Sequence, residues 1–385
     1  MSRPTIHVET PGQARSVERA LARVRSVAVD CEAAGYHRYS DRLCLVQLTA
    51  AGQTFVLDPL ALDLAPHLRP FLEDPARVTI MHGAPYDLRL LHRDLGIRVG
   101  ALTDTQVAAS LLGEPAVGLQ ALLERHLGIR VSKRFQRADW ASRPLPAEMI
   151  EYAAGDTRHL HRLAEILEAR LEEAGRLSWA REEYRWLLDN SFDGGNEGPE
   201  PDPVTRFKAA RRLDDRSVTA LREAIAWRDR IARERDRALF RVASDAALLA
   251  AARVRPPSVA ALAAVQGFPS RLAHQKGAAL LKRFARVEGL PERELVPYPR
   301  SKTRGTRPDP EEEAAFERVK EVRNAAAGRL GLDRGRVMAN QVLREVVAAM
   351  PGDRAGLAAV AEVRRWQVDV MGGELLDALW KREAG

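Results

Sequence analysis

Cysteine and long apolar segments are both scarce in this sequence. The chain has 385 residues and two cysteines, Cys31 and Cys44, which have neither the number nor the spacing of a zinc site or a disulfide framework. We predict that both are small core residues. No run of 18 apolar residues occurs, and the first residues, MSRPTIHVETPGQARS, contain no apolar signal core. These absences argue against a membrane span and against secretion, and we expect a cytoplasmic protein.

The composition is that of an ordinary folded protein. Hydrophobic residues make up 45% of the chain and charged residues 29%, which excludes disordered and fibrous classes. The length is sufficient for two or three domains.

Positive and negative charges are distributed unevenly along the chain. Residues 1–203 carry a formal net charge of −5 and residues 204–385 one of +12, within a total of +7. A basic half favours a polyanionic partner, because Lys and Arg displace counterions from phosphates. Arginines that merely keep helix surfaces soluble would give the same count, so charge alone leaves both interpretations open.

Apolar periodicity predicts an α/β unit followed by helices. The segments SVAVD, RLCLVQLTA, QTFVLD, RVTIMHG and ALTD are typical of strands between residues 26 and 104. PYDLRLLHRDLG is typical of a helix that begins at Pro85 and ends at Gly96. Helical spacing continues in DTQVAASLLG, in LQALLERHLG and in a long segment from about residue 146.

A linker and an internal repeat divide the rest of the chain. SFDGGNEGPEPDP, residues 191–203, is rich in Gly, Pro and Asp and predicts a domain boundary. A shift of 95 residues then superimposes Arg228 on Arg323, Pro256 on Pro351 and Gly277 on Gly372. We infer two copies of one small helical unit, separated by PYPRSKTRGTRPDP, and duplication of such a unit suggests binding.

Carboxylates occur at three places with distinctive spacing. Asp30 and Glu32 lie two apart at a strand end and therefore point to one face, where they repel each other unless a cation lies between them. Asp87 lies in the first turns of a helix, and Tyr152 and Asp156 share one helix face four residues apart. Taken singly, each has a simpler explanation: a solvated strand end, a helix-dipole partner and an exposed aspartate.

Taken together, these motifs resemble the ribonuclease D family, a branch of the DEDD exonucleases with tyrosine in the third motif. VAVDCE, LTDTQVAASLLG, SKRFQRADWASRPL and EYAAGDTRHL are similar to that family in order and spacing, and AWRDRIARERD and SVAALAAVQGFP resemble the HRDC fold. The resemblance implies an α/β ribonuclease H-like exonuclease domain, with a mixed sheet flanked by helices, followed by two small all-α HRDC-like domains. The implied boundaries are an exonuclease domain at 1–190, a linker at 191–210, HRDC domains at 211–290 and 311–385, and a second linker at 291–310.

The resemblance also implies a site and a reaction. Asp30, Glu32, Asp87 and Asp156 are the expected ligands of two divalent cations, Mg²⁺ or Mn²⁺, and Tyr152 is expected to orient the attacking water. The expected function is 3′→5′ exoribonuclease action that releases 5′-phosphomononucleotides from RNA 3′ ends, in tRNA precursor maturation. The basic tail is the expected nucleic-acid platform, and we expect a monomer that does not associate with a membrane.

Two other functions are consistent with the same residues. A 3′→5′ DNA exonuclease of the repair type uses the same tetrad, and discrimination depends on contacts with the 2′-hydroxyl that the sequence does not show. A nucleic-acid-binding protein with a decayed nuclease domain is the third candidate, and the complete tetrad argues against it.

Several further residues have open or secondary roles. Asp104 is expected to cap a helix and His82 to be packed. Lys133, Arg143 and Trp140 are candidates for contact with the substrate backbone, with Trp140 equally suited to the core. A charge run is either a solvated helix face or a nucleic-acid contact; its members are Arg228, Arg230, Arg233, Arg235 and Arg237.

The sequence departs from the family pattern near the first motif. Cys31 stands where Thr or Leu is usual, and Gly155 where Ala is usual. Ala33 stands where many members have an aromatic residue that wedges against the terminal base. Tyr36 and Tyr39 are the candidates to replace that aromatic residue.

Overall fold

The computed structural model describes residues 5–191, 201–299 and 309–380. Parts of both predicted linkers, residues 192–200 and 300–308, lie outside the described residues.

A mixed six-stranded sheet forms the centre of the first domain in the described chain. Its strands are β1 Ile6–Val8, β2 Ser26–Ala33, β3 Leu43–Ala50, β4 Gln53–Leu57, β5 Val78–Met81 and β6 Leu102–Asp104. The order is β1-β4-β3-β2-β5-β6. β3 is antiparallel to β2 and β4, whereas β1 pairs with β4, β2 with β5 and β5 with β6 in parallel. The five predicted strands are confirmed, and the sequence pattern missed the three-residue β1.

Helices flank this sheet. They are α1 Pro11–Leu21, α2 Ala65–Leu72, α3 Pro85–Leu95, α4 Thr105–Leu111, α5 Leu119–Leu127, α6 Ala147–Arg158, α7 Leu160–Glu173 and α8 Leu177–Asn190. α3 begins with Pro85 at its first turn, as predicted, and Gly96 ends it with a φ of 63°. The long helical segment predicted from about residue 146 is three helices, because the chain breaks at His159 and turns at Gly175, whose φ is +67°.

The core has a layer on each face of the sheet. All eight residues of β3 are buried, which explains its nearly continuous apolar sequence. A large cluster includes Cys31 and the inner faces of α3 and α7, and a smaller cluster joins Cys44 to Trp140 and α6. Both cysteines are therefore buried and free, as predicted.

The second half of the chain is helical, and its helices repeat with the 95-residue offset found in the sequence. The first helical unit contains α9 Asp215–Glu234, α10 Leu239–Val242, α11 Asp245–Val254, α12 Val259–Ala263 and α13 Ser270–Glu288. The second contains α14 Pro310–Leu330, α15 Arg334–Val337, α16 Asn340–Ala349, α17 Arg354–Ala358 and α18 Arg365–Trp380. α10, α11 and α12 match α15, α16 and α17 residue for residue, and each unit has its own core.

One buried arginine recurs in both units. Arg228 donates to the backbone carbonyl of Ala243, and Arg323 donates to that of Met338, which is the same contact 95 residues later. Arg228 is only 5% exposed. The prediction that Arg228 belongs to a solvated or nucleic-acid-binding charge run is therefore wrong, because its guanidinium satisfies a carbonyl inside the unit. The other four arginines of that run are exposed.

The second helical unit docks on the first domain through α8. The rings of Trp179 and Trp366 stack with centroids 4.7 Å apart, and the indole N–H of Trp366 donates to Glu183 at 3.0 Å. No helix in the described ranges has the length and apolarity needed to cross a membrane.

Candidate active site

The D-x-E pair lies at the end of β2. Asp30 pairs with Gln47 in the antiparallel ladder to β3, and the register shifts between Glu32 and Ala33. Because strand side chains alternate, Asp30 and Glu32 lie on the same face. Burial raises the pKa of both carboxyl groups well above the ordinary range, with repulsion from nearby carboxylates as the second cause.

Asp87 reaches the same region from α3. This helix follows β5, the parallel neighbour of β2, and Asp87 lies buried in its first turn. Burial raises the pKa of Asp87 well above its usual value, and the charges of Asp30 and Asp104 raise it further.

Asp104 fixes the start of two helices. Its carboxylate caps α4 by accepting from the backbone N–H groups of Gln106 and Val107, so the predicted cap is confirmed. It also accepts from the N–H groups of Gly83 at 3.1 Å and Ala84 at 2.7 Å, immediately before α3. Asp104 thereby positions the helix that carries Asp87, a role that local sequence did not indicate.

Tyr152 and Asp156 come from α6, which packs across β2, β3 and β4. The ring of Tyr152 stacks on Trp140 at 6.1 Å and meets Phe135 edge-on at 5.7 Å. Burial raises the pKa of Asp156 to about 7. Burial, followed by the charge of Asp156, also raises the pKa of Tyr152, so its hydroxyl stays protonated at neutral pH.

The structure brings three of the predicted carboxylates into one group. Asp30, Glu32 and Asp156 each offer one oxygen, and these oxygens all lie within 4.8 Å of one another. Asp87 is outside this group of three but close enough for its charge to act on Glu32. In the described part of the chain, no cationic side chain contributes to lowering the pKa of any of the four. Such a cluster is suited to cations supplied from solution.

A second group of possible ligands has a different character. His7, Glu9 and Asp58 also offer atoms within 4.8 Å of one another. The Asp58 carboxylate is already paired with the guanidinium of Arg143, whose Nη2 donates to it at 2.9 Å. This internal cation removes the reason for a metal at that position.

Two cavities are each lined in part by a carboxylate of this group. The first, which we call the aromatic cavity, has a volume of about 530 Å³ and is lined by Glu32, Ala33, Tyr36, Trp140 and Phe240 among others. The second has a volume of about 610 Å³ and is lined in part by Tyr152 and Asp156.

The secondary candidates divide between core and surface. His82 is packed, with its ring nitrogen 2.9 Å from the Thr105 hydroxyl. Arg143 holds Asp58 and the carbonyl of Trp140, which occupies the guanidinium and gives it a structural role. Trp140 is buried against Tyr152, and Lys133 is exposed.

The sequence pattern missed three residues of this region, because their importance depends on contacts with residues distant in sequence. They are Phe135, Asp58 and Phe240.

The mixed sheet, the buried carboxylate cluster and the adjacent tyrosine define a metal-dependent 3′-5′ exonuclease. A family model described as 3′-5′ exonuclease matches residues 5–172, and one for the HRDC domain matches residues 219–283 and 312–379.

Comparison with individual proteins narrows this class. Ribonuclease D of Granulibacter bethesdensis is 36% identical over 75% of this chain and 73% of its own length. Ribonuclease D of Gluconacetobacter diazotrophicus is 34% identical over 80% and 77%. The crystal structure of Escherichia coli ribonuclease D, an exoribonuclease involved in structured RNA processing, covers 98% of this chain and 99% of its own, with 25% identity and a TM-score of 0.69. The chain belongs to the ribonuclease D family, and it is a hydrolytic 3′→5′ exoribonuclease.

Proposed function

We propose that Asp30, Glu32, Asp87 and Asp156 hold two divalent cations, Mg²⁺ or Mn²⁺. The observation that carries this assignment is the convergence of three carboxylate oxygens within 4.8 Å, on two elements that are distant in sequence. The donors are all carboxylate oxygens, which hard divalent cations prefer. Their raised pKa values, with no cationic side chain to lower them, give the site a strong electrostatic preference for added cations.

The protein side chains prepare this site for hydrolysis at phosphorus. When bound, the cations supply an acidified water and neutralise the developing charge on the transferred phosphoryl group. Tyr152 holds its hydroxyl beside Asp156 because Trp140 and Phe135 restrict its ring. The hydroxyl remains protonated and can therefore donate or accept a hydrogen bond to the attacking water. This is a positioning role that needs no ionisation of the tyrosine.

The substrate class that we propose is the 3′ end of structured RNA, tRNA precursors in particular. Support comes from the Escherichia coli relative, which is an exoribonuclease involved in structured RNA processing. The products would be 5′-phosphomononucleotides. We further propose that the chain acts as a monomer in the cytoplasm and that its basic second half, with a net charge of +12 in residues 204–385, attracts the RNA.

A time course with 5′-labelled RNA and DNA of one sequence tests the site. We expect a ladder that shortens from the 3′ end of the RNA with Mg²⁺ and that is absent with EDTA. Asp156→Asn should abolish the ladder and leave RNA binding intact. Asp189→Asn, which removes an exposed aspartate of the same domain, is the matched control and should leave the ladder unchanged.

Metal binding provides a second readout. Calorimetric titration of the native protein with Mn²⁺ alone should show saturable binding that Asp156→Asn weakens and Asp189→Asn does not. Full activity of the Asp156→Asn variant, or equal Mn²⁺ binding by all three proteins, would refute the assignment. A ladder on DNA but not on RNA would overturn the proposed substrate.

A further inference from the structure

Two exposed aromatic rings lie at the aromatic cavity. Tyr36 follows β2 in the exonuclease domain and is 39% exposed, and Phe240 belongs to α10 of the first helical unit and is 52% exposed. Their ring centroids are 5.5 Å apart, with planes inclined by 55°. Because the two exposed rings contact each other, they form an aromatic patch, which is more informative than a single exposed apolar side chain.

Arginines hold and flank these rings. The guanidinium of Arg241 lies 4.8 Å from the centroid of Tyr36, and that of Arg137 lies 5.7 Å from it. The Nε of Arg241 also donates to the backbone carbonyl of Tyr36 at 2.8 Å. Tyr36 is therefore fixed in place, with two guanidinium groups close to its ring.

Hydrogen bonds fix the first helical unit against the exonuclease domain at this point. The backbone N–H of Ala238 donates to the carbonyl of His37 at 3.0 Å, and the side-chain hydroxyl of Tyr39 donates to the carboxylate of Asp229 at 2.8 Å. Phe240 is thus held beside the cavity by the docking of its unit, two residues from a hydrogen bond between the domains.

The internal repeat indicates that the fold does not require Phe240. The position 95 residues later is Gly335, in the matching helix α15 of the second unit. The neighbouring Arg241 has an arginine at the position 95 residues later, Arg336, whose Nη1 lies 3.8 Å from a carboxylate oxygen of Glu183. Only the copy that docks beside the carboxylates has an aromatic side chain at this position.

Arg241 links the aromatic rings to a basic cavity. Glu32 and Phe240 both line the aromatic cavity. Arg241, whose guanidinium lies over the ring of Tyr36, lines a cavity of about 440 Å³, which we call the arginine cavity, together with Arg235, Arg237 and Arg271. Four guanidinium groups favour phosphates, and aromatic faces favour unpaired bases.

We propose that a base near the 3′ end of single-stranded RNA stacks on Tyr36 and Phe240, with the preceding phosphates in the arginine cavity. This inference rests on the proposed function, because it names how that substrate is gripped. The first helical unit then contributes directly to the active-site cleft through the side chain of Phe240.

Steady-state cleavage of a single-stranded RNA of about ten nucleotides tests the role of Phe240. Phe240→Ala should raise KM roughly tenfold with little change in kcat, since stacking on an aromatic ring contributes at this level. Phe240→Tyr should behave as the native protein. Val254→Ala, which trims another exposed apolar side chain of the same unit, is the matched control and should leave KM unchanged.

Abasic RNAs identify the base itself. One abasic position near the 3′ end should raise KM for the native protein. It should have no further effect on Phe240→Ala, because the abasic site and the substitution remove the same stacking contact. Unchanged KM in Phe240→Ala, an equal rise in Val254→Ala, or additive losses at every abasic position would overturn the proposal. Fluorescence anisotropy of the same RNAs in EDTA gives the same comparison without cleavage, so an inactive protein would refute the proposed function and still test the stacking site.

Discussion

At the scale of single residues, burial of like charges is the main feature of this protein. Asp30, Glu32, Asp87 and Asp156 are held in an interior where the ionised form is unfavourable. A metal-free fold therefore carries a destabilising cluster, and divalent cations should stabilise the fold as well as permit hydrolysis.

The destabilisation that Asp156 causes in the metal-free protein depends on pH. The pKa of Asp156 is about 7 in the fold and close to 3.8 in the unfolded chain, so between these values the folded state binds the extra proton. The stability that this group contributes is present at low pH and is lost as the pH rises through 7. In EDTA, Asp156→Asn should melt higher than the native protein by roughly 5 °C at about pH 8 and equally near pH 4.

Differential scanning fluorimetry across this pH range measures the difference. Asp189→Asn serves as the control and should follow the native curve. Mg²⁺ should raise the melting temperature of the native protein more than that of Asp156→Asn. A difference between the two proteins that stays constant with pH would show that Asp156 is ionised throughout.

Arg143 is the residue whose role the structure changes most. Its guanidinium pairs with the buried Asp58 and donates to three backbone carbonyls, so Arg143→Ala leaves an unpaired charge in the core. We expect a loss of roughly 3 kcal/mol in the free energy of unfolding, measured by urea denaturation. KM for RNA should not change while the variant is folded.

Arg130→Ala, at an exposed arginine of the same domain, is the comparison for Arg143 and should cost little stability. A weakened KM with native stability in Arg143→Ala would restore the substrate role considered from the sequence.

At the scale of elements, Asp104 couples the starts of two helices to the site. It accepts from N–H groups at the beginning of α4 and just before α3, the helix that carries Asp87. The strand-to-helix junctions after β5 and β6 are therefore built as one unit.

Asp104→Ala should lower the free energy of unfolding by about 2 kcal/mol and reduce kcat, because α3 loses the partners that fix its first turn. Asp353→Ala removes a similar cap from α17 in the second helical unit and should leave kcat unchanged. Urea denaturation together with single-turnover cleavage separates the two effects. Native kcat in Asp104→Ala would mean that α3 holds Asp87 without this support.

At the scale of the whole molecule, the two helical units have diverged in their contacts. The first docks at the mouth of the active site through α10, and the second docks on α8 through stacked tryptophans. The two copies of the unit therefore contact different parts of the exonuclease domain, one at Tyr36 and the other at α8.

The arginine cavity should set the salt dependence of RNA binding. Substituting Arg235, Arg237 and Arg271 together by Gln should reduce the slope of log K against log salt by about 2, because each phosphate contact releases counterions. The matched triple replaces Arg253, Lys282 and Arg293 by Gln; these residues are exposed on the first helical unit or directly after it and do not line the cavity. Equal slopes in the two triple variants would show that RNA binding depends on the total positive charge of the protein and not on the arginines of this cavity.

Local sequence determined much of this protein. The two-residue spacing of Asp30 and Glu32 and the four-residue spacing of Tyr152 and Asp156 place each pair on one face, because strand and helix geometry depends only on neighbours. The helix start at Pro85, the helix end at Gly96 and the 95-residue repeat can likewise be recognised from the sequence alone. For that reason the strands, the helical units and the spacing of the carboxylates were predictable from local pattern, whereas the mixed sheet and the ligand roles were implied by the family resemblance.

Tertiary structure alone decided the contacts between distant segments. Arg143 meets Asp58 across 85 residues, and Arg241 meets Tyr36 across 205. The burial of Arg228, the pairing of β1 with β4 and the arrival of Phe240 beside Glu32 depend in the same way on how elements pack. No local pattern encodes such contacts, since a side chain's partner across the fold is set by the path of the whole chain.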